Sequence, residues 1–139
     1  MNDTSPGADR TGQFPFLDHI GLVVRDVASG SSRCTLTIQP VHFNSSGIVH
    51  GAVLFALADT GMGAALHGTL DAGEGLATVE LKINYFKPVR GGELICTSQV
   101  VNRGRTLANL ESSIHLEGVL VARANGNFAI FARSPQAPR

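Results

Sequence analysis

The feature that most constrains the fold is an apolar segment from His50 to about His67 that has helical spacing and strand-like segments on both sides. Apolar residues occur all round this helix, with Phe55, Asp59 and Met62 on one face and Leu57 on the other. A helix that is apolar on every side is typical of a buried helix. The sequence therefore predicts a long central helix that other elements enclose.

Alternation of apolar and polar residues predicts antiparallel strands around this helix. The predicted strands are a hairpin over 20–25 and 34–39, and a meander over 78–86, 93–101, 108–116 and 119–131 with a turn at 102–104. In the segment 78–86, Val79 and Tyr85 are among the residues predicted to face the core. This order of elements predicts an α+β domain in which an antiparallel β-sheet wraps the helix.

With 139 residues, the chain has the length of one domain. We predict a folded domain over residues 15–132 between flexible tails at 1–14 and 133–139. The N-terminal segment lacks a basic region followed by an apolar run, so the expected location is cytoplasmic. A chain of this length is small to enclose a deep substrate cavity alone, so an oligomer is also expected.

The charge and cysteine content exclude several classes of partner. Eleven basic and eleven acidic residues give a net charge of zero, so neither nucleic acid nor an anionic membrane is an expected partner. His50 and Asp59 interrupt the longest apolar stretch, which argues against a membrane span. Cys34 and Cys96 are predicted to be reduced and half-buried, and no Cys or His pair has the spacing of metal ligands.

Asp59 is the one carboxylate in the apolar helix, and it is the first candidate for chemistry. Burying a carboxylate is costly unless it is hydrogen-bonded, neutralised or used in function. Because burial disfavours its charged form, such a carboxylate can act as a general base. The alternative is that Asp59 caps or braces a neighbouring element.

Asn44, His50 and Gly51 lie around the predicted start of the helix. The N–H groups of a first helical turn have no intrahelical acceptor, so Gly51 N–H could bind a developing oxyanion. Gly51 could equally be a simple turn residue. His50 could hold the loop or move protons, and Asn44 could stabilise a turn or orient water or a thioester carbonyl.

These segments together resemble the hotdog-fold acyl-CoA thioesterases, specifically the phenylacetate-pathway (PaaI-like) branch. The resemblance covers roughly residues 16–131. It is carried by Asn44-x-x-Gly47-x-x-His50-Gly51, by Leu54-Phe55-Ala56-Leu57-Ala58-Asp59-Thr60, by 77–89 (ATVELKINYFKPV), by Gly92-Glu93-Leu94 and by Gly104-Arg105.

The resemblance implies a helix wrapped by a sheet, dimers whose sheets join edge to edge, often a tetramer made of two dimers, and active sites between protomers. It implies that Asp59 is the general base or nucleophile and that Gly51 N–H is the oxyanion donor. Asn44 would position water or the carbonyl, and His50 would support the site. No metal or cofactor is expected.

The same resemblance suggests residues that bind the substrate. Thr60 is a candidate substrate contact, and Thr78 would supply a hydroxyl from the start of its strand. Phe55 could line a pocket for an aromatic ring or a medium chain, or it could equally be a core residue. Arg90 and Arg105, in turns between strands, would meet the phosphates of CoA, although each could instead be a solvated loop charge.

The sequence thus predicts hydrolysis of small-to-medium aryl or alkyl acyl-CoA thioesters to a carboxylic acid and free CoA. One alternative is a hotdog protein that binds acyl-CoA without cleaving it, although such a protein need not keep Asp59. The other is a hotdog hydratase or dehydratase, which would need an acid–base dyad in its own motif context.

Overall fold

The computed structural model describes residues 14–134. Its elements in chain order are α1 (Pro15–Ile20), β1 (Leu22–Ala28), β2 (Ser31–Thr37), a 3-10 turn (Pro40–His42), α2 (Gly51–His67), β3 (Glu74–Tyr85), β4 (Glu93–Arg103), β5 (Leu107–Leu116) and β6 (Val119–Ala132). These six strands form one antiparallel sheet in the order β1-β2-β4-β5-β6-β3. The predicted α+β hotdog fold, a long helix wrapped by an antiparallel sheet, is confirmed.

The core lies between α2 and the concave face of the sheet, and α2 contacts all six strands. Leu57, Met62 and Leu66 on the helix are fully buried in one cluster with Leu94 and Leu110 of the sheet. Burial of each such side chain stabilises the fold by about 1.5–3 kcal/mol. Packing against the sheet therefore fixes the rotation of α2 and decides which of its residues stay open.

The prediction that α2 is buried on every side is wrong for one face. Phe55 is 38% exposed, and Asp59 is only partly buried, whereas Met62 is completely buried. The sequence pattern placed these three residues on one face, but the sheet covers Met62 and stops short of the other two. Residues 14–134 therefore leave an apolar stripe of α2 uncovered beside Asp59.

Strand β3 lies at the edge of the sheet, and part of its predicted orientation is wrong. Val79 is 61% exposed and Tyr85 is 50% exposed, although the alternation predicted both in the core. The register with β6 shifts between Thr78 and Glu80, so that a bulge takes Val79 out of the ladder. One edge of β3 is also without a partner strand among residues 14–134.

The short helix α1 was not predicted, and Ile20, predicted to begin the first strand, ends this helix instead. Gly21 adopts a left-handed conformation with φ of 74°, and β1 then starts at Leu22. The buried imidazole of His42 accepts from Gln39 N–H through Nδ1 at 2.8 Å and donates from Nε2 to Ile20 O at 2.6 Å. His42 thereby ties α1 to the loop that precedes α2.

Two boundary predictions need comment. The turn predicted at 102–104 is misplaced, because β4 continues to Arg103 and the turn occupies 104–106. The predicted tails at 1–14 and 133–139 lie outside the described residues, apart from Phe14, Arg133 and Ser134. The domain bounds 15–132 therefore stay a prediction.

The two cysteines are fully buried rather than half-buried as predicted. Cys34 and Cys96 stand opposite each other in the register of β2 and β4. Burial raises the pKa of the Cys34 thiol to about 12 and that of the Cys96 thiol to about 11. Both thiols are thus protonated at neutral pH, which makes them poor nucleophiles.

Between residues 14 and 134, neither helix is long and apolar enough to cross a lipid bilayer.

Candidate active site

Asp59 and Thr78 meet on the uncovered face of α2. Thr78 Oγ1 donates a hydrogen bond of 2.6 Å to Asp59 Oδ1. Among residues 14–134, no other donor contacts this carboxylate, so Oδ2 is open. The carboxylate is therefore held at one oxygen and has the other available to a water molecule or a carbonyl carbon. In a single chain it is not enclosed by apolar groups, contrary to the burial expected from the sequence.

The start of α2 holds Gly51 between two fixed peptide groups. His50 is the N-cap residue, and its Nδ1 accepts from Ala52 N–H at 2.9 Å. Val53 N–H donates to His50 O at 2.9 Å, and Tyr85 Oη donates to Gly51 O at 2.7 Å. Gly51 N–H begins the helix and has no intrahelical acceptor. The arrangement presents one N–H group at the positive end of the helix dipole.

His50 uses its imidazole to cap the helix. Because Nδ1 accepts the Ala52 N–H, the ring proton of the neutral imidazole lies on Nε2. The backbone N–H of His50 donates to His42 O at 2.8 Å, which anchors the residue from the other side. His50 thus holds the start of α2, and its supporting role in an active site stays a prediction.

Asn44 organises the loop before α2. Its Oδ1 accepts from Ser46 N–H at 2.9 Å and from Ile48 N–H at 3.3 Å. The side-chain oxygen of Asn44 therefore stabilises the turn. Its Nδ2 group has no acceptor within the described part of the chain and is the end of the side chain left for a ligand.

Thr60 lines a cavity of about 790 Å³ between α1, α2, β1 and the first residues of β3. The helix contributes Thr60, Gly63, Ala64 and His67, which share one helical face. The volume lies within the usual range of small-molecule pockets. Thr60 directly follows Asp59, but consecutive side chains of a helix point in different directions, and Asp59 is not among the residues that line the cavity. The cavity therefore lies along the helical face next to the one that carries the carboxylate.

Phe55 does not line this cavity. It projects from the uncovered face of α2 at a position midway between Gly51 and Asp59 in the sequence. The exposed side of the Phe55 ring therefore faces away from the sheet of its own chain.

Arg90 and Arg105 do not lie together in one chain. They flank β4, whose 11 residues span roughly 35 Å. Arg90 follows Val89, whose carbonyl accepts from Val49 N–H at 2.8 Å beside the start of α2. Arg105 is next to Thr106, whose carbonyl accepts from Ile130 N–H at 2.9 Å near the beginning of β3. The backbones of the two arginines thus lie beyond opposite ends of β4.

A third arginine, Arg103, is the last residue of β4 and already has polar partners. Arg103 forms an ion pair of 2.7 Å with Glu74. It also donates to Gly104 O at 2.8 Å. Both contacts make it part of the fold rather than a free cation.

Tyr85 is the site residue that the sequence did not reveal. The alternation in its strand predicted a core residue, yet its hydroxyl reaches Gly51, 34 positions earlier in the chain. No local pattern connects positions so far apart. The only available signal was that Tyr85 is the one tyrosine of the chain, next to the end of a strand.

Within residues 14–134, no three His, Cys, Asp or Glu side chains lie close enough together to hold a metal ion. The expectation that the protein needs no metal or cofactor stays a prediction.

Comparison with known proteins identifies the family. The model of the thioesterase superfamily matches residues 46–122, more than half of the chain and the part that contains Gly51, Asp59 and Thr78. Acyl-coenzyme A thioesterase 13 of Mus musculus is 30% identical over 104 residues, which cover 74% of this chain and 69% of that protein.

Solved structures agree with this assignment. A conserved protein of Pseudomonas aeruginosa superposes with a TM-score of 0.82 at 30% identity, covering 85% of this chain and 94% of that one. A mutant form of the phenylacetic acid degradation protein PaaI of Thermus thermophilus gives a TM-score of 0.78 at 26% identity, covering 84% and 98% of the two chains. The chain therefore belongs to the thioesterase superfamily and is a hotdog-fold enzyme that hydrolyses thioesters.

Proposed function

We propose that this enzyme hydrolyses acyl-CoA thioesters to a carboxylic acid and free CoA, with Asp59 as the general base or nucleophile. The observation that carries the proposal is the carboxylate that Thr78 holds at 2.6 Å on the uncovered face of α2. An acyl-coenzyme A thioesterase among the relatives supports the choice of CoA esters. A cytoplasmic location stays a prediction.

Two chemical routes are open to Asp59, and both break the carbon–sulfur bond. As a general base, it takes a proton from water while the water oxygen attacks the carbonyl carbon. As a nucleophile, its free Oδ2 attacks the carbonyl carbon and forms a mixed anhydride that water then hydrolyses. In both routes the CoA sulfur leaves as a thiolate and takes up a proton.

The oxyanion of the reaction would be stabilised by Gly51 N–H, which needs to be about 3 Å from the reacting oxygen. Gly51 and Asp59 of one chain, however, lie about 12 Å apart along the helix axis. Thr78 and Tyr85, which contact them, are seven residues apart on β3, or roughly 23 Å. Such distances favour a site in which Asp59 comes from one chain and Gly51 from another.

A two-fold dimer would bring these groups together. An axis beside Phe55, midway between Gly51 and Asp59, would bring Asp59 of each chain towards Gly51 of the other. Pairing of the two β3 edges around residues 81–82 would likewise put Thr78 opposite Tyr85. The open edge of β3 and the uncovered stripe at Phe55 support this arrangement. Two such dimers would form the tetramer implied by the family.

The acyl group would occupy the cavity that begins at Thr60. Its walls include Leu17 of α1, Val24 of β1 and Leu76 of β3, which suit an apolar acyl chain or an aromatic ring. Its volume of about 790 Å³ supports a medium-sized acyl group rather than acetyl alone. In the dimer, Phe55 would close the site from the side of the axis.

The remaining groups have proposed roles at the two ends of the thioester. The Nδ2 group of Asn44 would orient water or the carbonyl, while His50 would hold the helix start. Arg90 belongs to the Gly51 end and Arg105 to the Asp59 end. Because the dimer joins opposite ends, one arginine from each chain could meet the phosphates of CoA.

Replacement of Asp59 by Asn tests the proposal. The substitution keeps the shape of the side chain but removes the base, so kcat should fall by roughly 10²- to 10⁴-fold while the fold and CoA-ester binding persist. Release of free thiol from a panel of aryl- and alkyl-CoA esters can be followed with a disulfide dye. The buried Cys34 and Cys96 thiols should not add to that signal.

Asp26→Asn is the matched control, because Asp26 is an exposed aspartate whose ion-pair partner among residues 14–134 is Arg33 on the surface. It should retain wild-type turnover. Near wild-type turnover of every ester by the Asp59→Asn enzyme would refute the role of Asp59. A wild-type protein that binds these esters without cleaving any of them would instead be an acyl-CoA-binding protein.

A further inference from the structure

We propose that Tyr85 is a positioning residue for the oxyanion donor, which its hydroxyl fixes by holding the peptide group that follows Gly51. This inference rests on the proposed function, since it assumes that Gly51 N–H stabilises the reacting oxygen. It adds a second residue of β3 to the site, at the opposite end of the strand from Thr78.

Hydrogen bonds hold the peptide groups on both sides of Gly51. The 51–52 peptide is held at both ends, by Tyr85 Oη on its carbonyl at 2.7 Å and by His50 Nδ1 on its N–H at 2.9 Å. The 50–51 peptide is held through its carbonyl by Val53 N–H at 2.9 Å. These contacts leave Gly51 N–H as the group that points out of the helix start.

Gly51 and the ring of Tyr85 lie close together. A Cβ atom at position 51 would lie 3.0 Å from both Cζ and Oη of Tyr85. The backbone at Gly51 is not in the left-handed region, so its conformation alone does not require glycine. A side chain at position 51 would therefore press on the tyrosine ring, which would have to shift by a few tenths of an ångström, so the glycine and the tyrosine fit each other closely.

The backbone of Gly51 has more conformational freedom than that of any other residue type. Glycine is the most permissive residue, so a glycine at a helix start needs an outside restraint to keep its peptide groups in one orientation. Tyr85 can supply it because the register of β3 with β6, Tyr85 opposite Ala122, fixes the backbone that carries the ring. Partial burial also raises the pKa of the Tyr85 phenol, which keeps the hydroxyl protonated as a donor.

Tyr85→Phe removes the hydroxyl and keeps the ring. Loss of one hydrogen bond that orients the donor should lower kcat about five- to tenfold. KM should change less than about twofold, because the substrate itself does not contact the lost hydroxyl. Size-exclusion elution and the thermal melting curve should stay close to those of the wild type.

Phe86→Leu is the matched control, since Phe86 is the adjacent aromatic residue and is similarly exposed. It should leave kcat unchanged. An unchanged kcat in Tyr85→Phe, a change in KM alone, or an equal loss in Phe86→Leu would overturn the proposal. Asp59→Asn is run in the same assay, so an active Asp59→Asn enzyme would reveal failure of the proposed function separately.

A second measurement needs no variant. Tyr85 is the one tyrosine and the chain has no tryptophan, so the tyrosinate absorbance band reports this residue alone. Titration of the native protein should give a pKa above the ordinary tyrosine value of about 10. A pKa no higher than that of a free tyrosine would show that neither burial nor the hydrogen bond to Gly51 O favours the protonated hydroxyl, and would contradict the contact on which the inference rests.

Discussion

The two halves of the site differ in how completely one chain builds them. At the start of α2, Gly51 lies among hydrogen bonds from Tyr85, His50, Ala52 and Val53, and its N–H direction is fixed. Eight residues later, Asp59 has Thr78 as its partner and faces the open side of the helix. The half of the site at Gly51 is therefore preorganised within the protomer. The half at Asp59 is left for another chain to complete.

This asymmetry has a chemical reason. An oxyanion donor is effective only if it is already oriented when charge develops, so its restraints must be built in. A carboxylate base instead needs a partly dehydrated setting next to the substrate, and a second chain and the acyl group can provide that on assembly. Substitutions at Gly51, Ala64 and Thr78 should therefore affect the two halves of the site separately, with progressively smaller losses of activity.

Gly51→Val should break the preorganised half. The added side chain collides with the Tyr85 ring, since even a Cβ would be 3.0 Å from it. We expect kcat to fall roughly 10²- to 10³-fold, as for the loss of one oxyanion donor. Steady-state kinetics checks this. Gly91→Ala is the control, because a Cβ at Gly91 meets nothing within 4 Å, and a similar loss there would contradict the account.

Ala64→Leu should change the cavity beside the open half without disturbing the start of α2. The larger side chain fills part of the space that Thr60 and His67 also line. We expect kcat/KM for medium-chain or aryl esters to fall about 30-fold relative to a short-chain ester. Competition between an octanoyl and a propionyl ester measures this ratio. An unchanged ratio would exclude this cavity as the acyl site.

Thr78→Val should loosen the open half alone. The substitution keeps the branched shape but removes the donor to Asp59 Oδ1, and a hydrogen bond to a partly exposed carboxylate suggests a fall in kcat of about tenfold. Thr78→Ser keeps the donor and should restore most of the activity. Equal kinetics for the Val and Ser variants would indicate that the 2.6 Å contact does not orient the base.

Local patterns predicted the fold and the carboxylate half, but not the tyrosine. The apolar helix with one carboxylate and the period-two strands predicted α2 and a wrapping sheet, and Asp59 stands out because it is polar in that helix. Tyr85 escaped because its contact with Gly51 spans 34 positions and depends on how α2 crosses the end of β3. The bulge at Val79 likewise depends on register with β6, which alternation within one strand does not reveal.

The uncovered face of α2 gives the same lesson at the level of assembly. The sequence left Phe55 between the core and the acyl pocket, because a pattern cannot distinguish burial by the chain's own sheet from burial by a second chain. We therefore propose that one complete site needs Asp59 from one protomer and Gly51 from another.

Subunit mixing tests that claim most directly. Asp59→Asn and Gly51→Val chains, each inactive alone, are co-expressed with different tags, and the mixed dimer is purified through both tags. If the site is shared, one of its two sites combines wild-type Asp59 with wild-type Gly51, and the mixed dimer should regain about half of wild-type kcat. If each chain builds its own site, both sites carry a defect. A mixed dimer as inactive as its parents would contradict the account.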